Sequence, residues 1–305
     1  MPTSLDSHNR LTDLEEFGTD PGSLQAHTYI PKKFPKNFVK NGPLVVVLHG
    51  STQSAESYDH GSGWSELADE CGIALLYPEQ RITNSPISSF NWFKSSDSRR
   101  DEGEPLSIRH MIKQVVDDYG IDPDRIFITG LSSGGAMASV MLATYPEVFA
   151  GGAIIAGLPY RSADNLMEAM ARMQGYGGPS DSKLDSLVRE ASTFRGPWPT
   201  ISVWHGGSDS TVDNANADSI VRQWQRVHKV DGPPTRVEEV SGSPRQVWCN
   251  DDGREVIEEY IIDGMGHGTP IMAGGDEGLG EEDKYMLEVG ISSTRHIANF
   301  WGLTK

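Results

Sequence analysis

The sequence is poor in cysteine and in long apolar runs, which argues against a disulfide-rich protein and against a membrane-spanning one. Cys71 and Cys249 are the only cysteines among 305 residues, so a disulfide framework is excluded, and both are predicted to be buried structural residues. No run approaches the ~20 apolar residues of a membrane span. Because the N-terminus also lacks the apolar centre of a signal peptide, the chain as written is expected in the cytoplasm, or in a secreted or periplasmic location if a leader was removed.

Positive charge is also scarce, which bears on the partners. There are 26 Lys and Arg against 43 Asp and Glu, a formal net charge of −17. Nucleic acid and anionic membrane surfaces attract basic proteins, so neither is expected as a partner. The acidity also argues against a polyanionic substrate, although solubility or adaptation to salt is the simpler explanation of it.

The usual metal motifs are missing as well. There is no His-Glu-x-x-His and no cysteine or histidine spacing typical of zinc. The acidic stretch 276–283 is expected to be a solvated loop rather than a calcium site. We therefore predict no metal and no cofactor.

The apolar pattern indicates one large domain of alternating strands and helices. Leu44–Leu48 is fully apolar and β-branched at its centre, as in a parallel strand buried on both faces. Further strand and helix patterns alternate after it, which predicts an α/β protein with a mainly parallel, doubly wound sheet. Residues 1–23 are polar and expected to be mobile, and residues 24–305 to form a single domain. The segment 160–197, with two predicted helices, is either a small helical cap or a plain crossover.

One stretch carries a catalytic signature. Gly130-Leu-Ser132-Ser-Gly134 is a G-x-S-x-G match between a β-prone run and a helix-favouring run, the context of a nucleophile elbow. Its glycines avoid clashes with the neighbouring strand or helix, and the helix N-terminus offers N–H groups to a developing oxyanion. Five letters alone are a weak signal, and a structural Gly-Ser turn is the alternative.

A serine nucleophile requires a base and an orienting carboxylate, in hydrolases of this architecture in the chain order serine, acid, histidine. Asp209 lies in a glycine-rich turn after a predicted strand, and His267 lies in a glycine-rich loop after the last long one. We therefore predict the triad Ser132, Asp209 and His267. Competing acids and histidines fit the order or position less well and are expected in capping, packed or solvent-exposed positions: Asp213, Asp218, His49, His110, His205, His228 and His296. Among them, His205 is expected either in the core or as a support of the site.

The strand Leu44–Leu48 runs into His49-Gly-Ser51, where such hydrolases place one amide donor of the oxyanion hole. The predicted donors are the backbone N–H groups of Ser51 and Ser133. An ordinary turn with a packed histidine is the alternative. With both amides in place, Ser132 would attack an ester carbonyl while His267 takes its proton, and water would then resolve the acyl-enzyme.

Six segments together resemble the polyhydroxybutyrate depolymerase-like esterases, which are similar to the feruloyl and acetylxylan esterases of carbohydrate esterase family 1. The segments are Leu48–Gln53, Tyr77–Gln80, Asn91–Phe93, Gly130–Met137, Trp204–Gly206 and Gly264–Pro270. The resemblance implies an α/β-hydrolase fold and carboxylic-ester hydrolysis, and it places the same triad on Ser132, Asp209 and His267. It also suggests Trp92 as a substrate-pocket residue, with an aromatic cluster under a loop as the alternative. Many relatives have cysteine where this chain has Ser51, but a backbone donor should survive that exchange.

The substrate is expected to be a small-molecule ester. Secreted polymer-degrading relatives carry a linker and a polymer-binding domain, and none is visible here. Soluble short-chain, hydroxyacyl or aromatic (feruloyl-type) esters are therefore expected, and polyhydroxybutyrate or its oligomers are the alternative. A non-catalytic binding protein on the same fold is the alternative of another class. The sequence does not indicate an oligomeric state.

Overall fold

A computed structural model describes residues 10–35 and 42–304 of the chain. The strands are β1 (Thr12–Asp13), β2 (Gln25–Tyr29), β3 (Leu44–Leu48), β4 (Ala74–Glu79), β5 (Ile126–Leu131), β6 (Gly151–Ile155), β7 (Thr200–Gly206), β8 (Arg236–Val240), β9 (Ser243–Cys249), β10 (Glu255–Ile262), β11 (Thr269–Ile271) and β12 (Met286–Glu288). The helices are α1 (Ala55–Ser62), α2 (Trp64–Cys71), α3 (Gly103–Tyr119), α4 (Ser133–Thr144), α5 (Leu166–Met173), α6 (Asp181–Glu190), α7 (Ala215–His228) and α8 (Ser293–Phe300), with a 3-10 turn at Ser95–Asp97. None of the helices in the described ranges combines the length and apolar character that crossing a membrane requires.

The main sheet runs in the order β1-β2-β4-β3-β5-β6-β7-β10-β9-β8. The six strands from β4 to β10 in that order are parallel to one another, and the flanking strands pair antiparallel. The predicted mainly parallel sheet is therefore confirmed. A parallel sheet brings the carboxyl ends of its strands to one edge, which is where sites form in such folds.

Helices cover both faces of the sheet, and β3 shows why its sequence is apolar throughout. Leu44, Val46 and Leu48 face a core cluster with α3, α4 and α7, whereas Val45 and Val47 face a second cluster with α1, α2 and α8. Successive side chains of a strand point to opposite faces. A strand between two layers of helices therefore needs an apolar side chain at every position, and the doubly wound architecture is confirmed.

The start of the described chain lies against the sheet. β1 pairs with β2, and the amide of Leu14 donates to the carbonyl of Ala26 at 2.8 Å. Residues 1–9 of the segment predicted to be mobile lie outside the described residues, and its mobility stays a prediction. Cys71 and Cys249 form no disulfide with each other and are only partly buried, which corrects the prediction of buried side chains.

The segment 160–197 contains the two predicted helices, α5 and α6. The carbonyl of Met173, at the end of α5, accepts the amide of Asp213 at 2.7 Å. In α6, the carbonyl of Leu184 accepts Gln223 Nε2 from α7 at 2.9 Å. The segment is thus fastened to α7 and to the loop before it, and its role as a cap stays a prediction.

Candidate active site

The turn between β5 and α4 is the sharp elbow that the motif predicts. Ser132 has φ 57° and ψ −114°, and such a positive φ is uncommon for a residue with a side chain. A Cβ atom on Gly130 would lie 2.5 Å from the backbone of Gly134, and one on Gly134 would lie 2.4 Å from the carbonyl oxygen of Leu48. Both separations are far below van der Waals contact. Only glycine therefore fits on either side of Ser132.

His267 and Asp209 come to this elbow from neighbouring strand ends. Asp209 follows β7, His267 follows β10, and these two strands pair in parallel within the same sheet as β5. His267 Nε2 lies 3.0 Å from Ser132 Oγ, and His267 Nδ1 lies 2.7 Å from Asp209 Oδ2. An ionised carboxylate only accepts hydrogen bonds, so Nδ1 carries the ring proton and Nε2 is free to accept the Ser132 hydroxyl proton.

The environment of Asp209 favours its ionised form. Its side chain is fully buried, and Oδ1 accepts the amides of Thr211 and Val212 at 2.8 and 2.9 Å. Burial alone would raise the pKa of Asp209. The hydrogen bonds from His267 and the Val212 amide, together with the nearby His205 ring, outweigh burial and hold that pKa well below its usual range. Asp209 is therefore a permanent negative charge behind the His267 ring.

The loop after β3 leaves one amide free. Gly50 N–H donates to Gln53 Oε1 at 2.9 Å, Gln53 N–H donates to the Gly50 carbonyl at 3.2 Å, and Thr52 N–H donates to the Ile87 carbonyl at 2.7 Å. The amide of Ser51 has no acceptor within the described part of the chain. It is the only N–H of residues 50–53 there that remains available to a ligand.

A second free amide stands beside it. Ser133 is the first residue of α4, where a backbone N–H has no partner within the helix, and the described residues offer it no other acceptor. Ser51 Oγ donates to Ser133 Oγ at 3.2 Å. The two residues that carry the free amides are thus in contact, next to Ser132, and the pair suits an oxygen that gains negative charge.

His49 holds the loop after β3 through both of its ring nitrogens. Its Nε2 accepts the amide of Gln80 at 3.1 Å, so its Nδ1 carries the proton and donates to the Gly50 carbonyl at 2.8 Å. Burial lowers the pKa of His49 and keeps the ring neutral. A packed histidine and a Ser51 amide without an acceptor in the described ranges therefore occur together in this turn.

Glu104 is a structural residue of this region that sequence reasoning missed. It is fully buried, and its carboxylate accepts Gln80 Nε2 at 2.6 Å, Asn91 Nδ2 at 2.6 Å and Asn91 N–H at 2.9 Å. It thereby fixes both ends of the loop that carries Ile87. The one available signal was an acidic residue in the first turn of α3, which is usual at any helix start.

In the described part of the chain, His267 is the side chain that hydrogen-bonds to Ser132 Oγ, and Trp92 and the other histidines have different partners. Trp92 is 5% exposed and packs edge-on against Phe93 at 5.4 Å within the core cluster of α3 and α4, so its role in substrate binding stays a prediction. His228 Nε2 lies 3.0 Å from the Pro199 carbonyl. His205 differs from these, because it lies 3.4 Å from the Asp209 carboxylate.

Among the described residues there is no group of three or more His, Cys, Asp or Glu that is arranged to hold a metal ion.

Comparison with known proteins decides the family. A family model described as "Esterase PHB depolymerase" matches residues 27–237. The chain belongs to this family. Poly(3-hydroxyalkanoate) depolymerase C of Paucimonas lemoignei is 40% identical over 305 residues, covering 99% of this chain and 72% of the relative. Feruloyl esterase B of Talaromyces funiculosus is 29% identical over 270 residues, covering 85% of this chain and 73% of the relative.

The solved structures agree with this family in fold. The structure of an acetyl xylan esterase from Aspergillus awamori superposes with a TM-score of 0.79 at 22% identity, covering 96% of this chain and 99% of the other. The predicted α/β-hydrolase fold and the predicted resemblance are both confirmed. As a member of the esterase PHB depolymerase family, the chain is a carboxylic ester hydrolase and not a binding protein on the same fold.

Proposed function

We propose that the chain hydrolyses carboxylic esters through an acyl-enzyme on Ser132, with His267 as the base and Asp209 as the acid that orients it. The observation that carries this proposal is the continuous hydrogen-bonded series from Ser132 Oγ through the His267 ring to Asp209 Oδ2, at 3.0 and 2.7 Å. A nucleophile, its base and the carboxylate behind the base are the three parts that this chemistry needs.

The first half of the reaction forms the acyl-enzyme. Ser132 Oγ attacks the ester carbonyl carbon while its proton passes to His267 Nε2, and the carbonyl oxygen becomes an oxyanion. The amides of Ser51 and Ser133 donate to that oxyanion. When the tetrahedral intermediate collapses, His267 returns the proton to the departing alcohol oxygen. Asp209 remains ionised and stabilises the imidazolium in between.

The second half releases the acid. A water molecule attacks the acyl carbon, and His267 Nε2 takes its proton. The same two amides hold the second oxyanion, and the carboxylic acid leaves as Ser132 regains its hydroxyl proton. No group other than substrate, water and this chain's own residues is required for the atoms to balance.

The proposed substrates are soluble short-chain, hydroxyacyl or aromatic esters. Support for hydroxyacyl esters comes from the relative named as a poly(3-hydroxyalkanoate) depolymerase, which is 40% identical over nearly the whole chain. The same similarity favours a second candidate, in which the chain degrades the polymer or its oligomers. The aromatic class is supported by the relative named as a feruloyl esterase.

A substrate panel tests the proposal. Wild type, Ser132→Ala and the exposed-serine control Ser182→Ala would be assayed on p-nitrophenyl butyrate, methyl ferulate, a 3-hydroxybutyrate dimer and a suspension of polyhydroxybutyrate. We expect wild type and Ser182→Ala to cleave at least one soluble ester, and Ser132→Ala to lose roughly 10³-fold or more in kcat. Faster clearing of the suspension than cleavage of the dimer would select the depolymerase candidate. An active Ser132→Ala enzyme would contradict the proposal.

A further inference from the structure

His205 is a buried histidine that the reaction described above does not use. It is the last residue but one of β7, its register partner on β10 is Ile261, and its side chain is completely inaccessible to solvent. Its Nε2 lies 2.8 Å from the carbonyl oxygen of Val212 and 3.4 Å from Asp209 Oδ2. The ring therefore faces the short turn that carries the Asp209 carboxylate.

The position of the ring proton follows from these partners. A carbonyl oxygen only accepts, so Nε2 carries the proton and donates it to Val212. His205 Nδ1 is buried and has no partner within the described part of the chain. Among the described residues, the hydrogen bond of this ring therefore goes to the turn that carries Asp209.

The contact with Val212 closes a loop of hydrogen bonds around the turn. Val212 N–H donates to Asp209 Oδ1 at 2.9 Å, while the carbonyl of the same residue accepts His205 Nε2–H at 2.8 Å. His205 thereby holds Val212, whose amide holds Asp209 Oδ1. The Nε2–H group of His205 also lies 3.4 Å from Asp209 Oδ2, so its partial positive charge is close to that oxygen. With Oδ1 fixed in this way, the orientation of the Asp209 carboxylate is fixed as well, and Oδ2 faces His267 Nδ1–H.

We propose that His205 is a positioning residue for Asp209: its Nε2–H fixes the Asp209 turn and keeps Oδ2 aimed at His267. This inference rests on the proposed function, because it matters only if Asp209 orients the base. His205 does not touch Ser132 or the substrate. Its loss therefore lowers kcat, through a misplaced His267, and leaves KM nearly unchanged.

The test compares variants that keep or remove the donor. His205→Phe keeps a planar ring and has no N–H, whereas the side-chain amide of His205→Gln can donate from a position close to Nε2. His228→Phe is the matched control, since His228 also has its Nε2 at a backbone carbonyl, that of Pro199, at 3.0 Å, and it takes no part in the site. Activity on p-nitrophenyl butyrate, the melting temperature and the low-field proton resonance of the His267 Nδ1–H would be measured for each.

We expect His205→Phe to lose roughly 10- to 100-fold in kcat, the range that misplacement of a catalytic group costs, with KM within about threefold. The His267 Nδ1–H resonance should weaken or shift. His205→Gln should recover kcat to within about fivefold of wild type, and His228→Phe should match wild type. If His205→Phe does not fold, His205→Asn replaces it, because its amide is too short to reach Val212.

The inference is overturned if His205→Phe, or His205→Asn in its place, keeps kcat within threefold of wild type, or if His205→Gln is as slow as the variant without the donor. Ser132→Ala, assayed in parallel, separates this failure from that of the proposed function. Loss of activity in Ser132→Ala together with an active His205→Phe overturns only the role of His205. Activity in Ser132→Ala overturns the proposed function itself.

Discussion

The hydroxyl oxygens of Ser51 and Ser133 lie 3.2 Å apart, and the backbone amides of the same two residues have no acceptor among residues 10–35 and 42–304. Two loops that are 82 residues apart in sequence thus meet through their side chains. The proposed oxyanion hole, in contrast, uses their backbone amides. The side-chain hydroxyl and the backbone amide of Ser51 can therefore be removed separately.

We expect Ser51→Ala to keep kcat/KM within about fivefold of wild type, because the amide stays in place. Ser51→Pro removes the N–H and should lower kcat by roughly 10²- to 10³-fold, the usual effect of one lost oxyanion donor. Steady-state kinetics, with melting followed by circular dichroism to verify folding, would measure both. Equal losses in two folded variants would show that the hydroxyl, and not the amide, is what the reaction needs.

Gly134 lies inside α4, where replacing glycine by alanine would ordinarily stabilise a helix by up to ~1 kcal/mol. Here a Cβ would lie 2.4 Å from the Leu48 carbonyl oxygen, so Gly134→Ala should instead lower the free energy of unfolding by about 3 kcal/mol or more. Gly274→Ala is the control, because nothing lies within 4 Å of a Cβ there. Urea unfolding would compare the two, and a Gly134→Ala protein as stable as the control would contradict the close approach.

Glu104 offers a test of the loop that holds Thr52, next to the proposed oxyanion donor Ser51. Glu104→Gln places an NH₂ group at one of its two oxygens, and that group cannot accept a hydrogen bond as the oxygen does. We expect the free energy of unfolding to fall by about 1–3 kcal/mol, the cost of an unsatisfied buried donor. The exposed neighbour Glu102→Gln should have no effect beyond about 0.5 kcal/mol. Equal stability of both variants in urea would show that Glu104 does not anchor the loop.

His228 predicts one part of the pH dependence of stability. Burial, with smaller contributions from Arg254 and Arg189, lowers the pKa of His228 to about 4, below the value of roughly 6.5 for an unfolded chain. The unfolded state therefore binds the proton more readily. The contribution of His228 to stability is complete above pH ~6.5 and is lost as the pH falls towards ~4.

The measurement is the free energy of unfolding at pH 7 and pH 5 for wild type and His228→Gln. The amide of Gln can still donate to the Pro199 carbonyl but does not titrate. Between these two pH values wild type should lose about 1–2 kcal/mol more than the variant. Parallel losses in the two proteins would mean that His228 binds a proton equally well in the folded and unfolded states.

Local patterns were sufficient to predict the sheet and the elbow from the sequence. The unbroken apolar run of β3 indicates burial on both faces, and the glycines around Ser132 indicate a turn that excludes side chains. The meeting of Asp209 and His267 at this elbow was predictable because each follows a strand whose carboxyl end must lie at the same edge as that of β5. In these cases the residues adjacent in sequence are enough to explain the local structure.

The supporting residues were not predictable in the same way. Glu104 is surrounded by Gln80 and Asn91, which are 24 and 13 residues away in sequence, so no local pattern distinguishes it from a solvated acid at a helix start. The direction of the His205 ring depends on the carbonyl of Val212, seven residues later. Such contacts arise only when loops pack against each other, and sequence patterns do not report them.

The most direct measurement of the central claim is covalent labelling of the nucleophile. Wild type would be treated with diethyl p-nitrophenyl phosphate, a reagent that phosphorylates activated serines, and mapped by tandem mass spectrometry. We predict one label per chain, on Ser132, and no label in Ser132→Ala under the same conditions. A label on another residue, or an ester hydrolase that stays unlabelled and fully active, would contradict the assignment of Ser132 as the nucleophile.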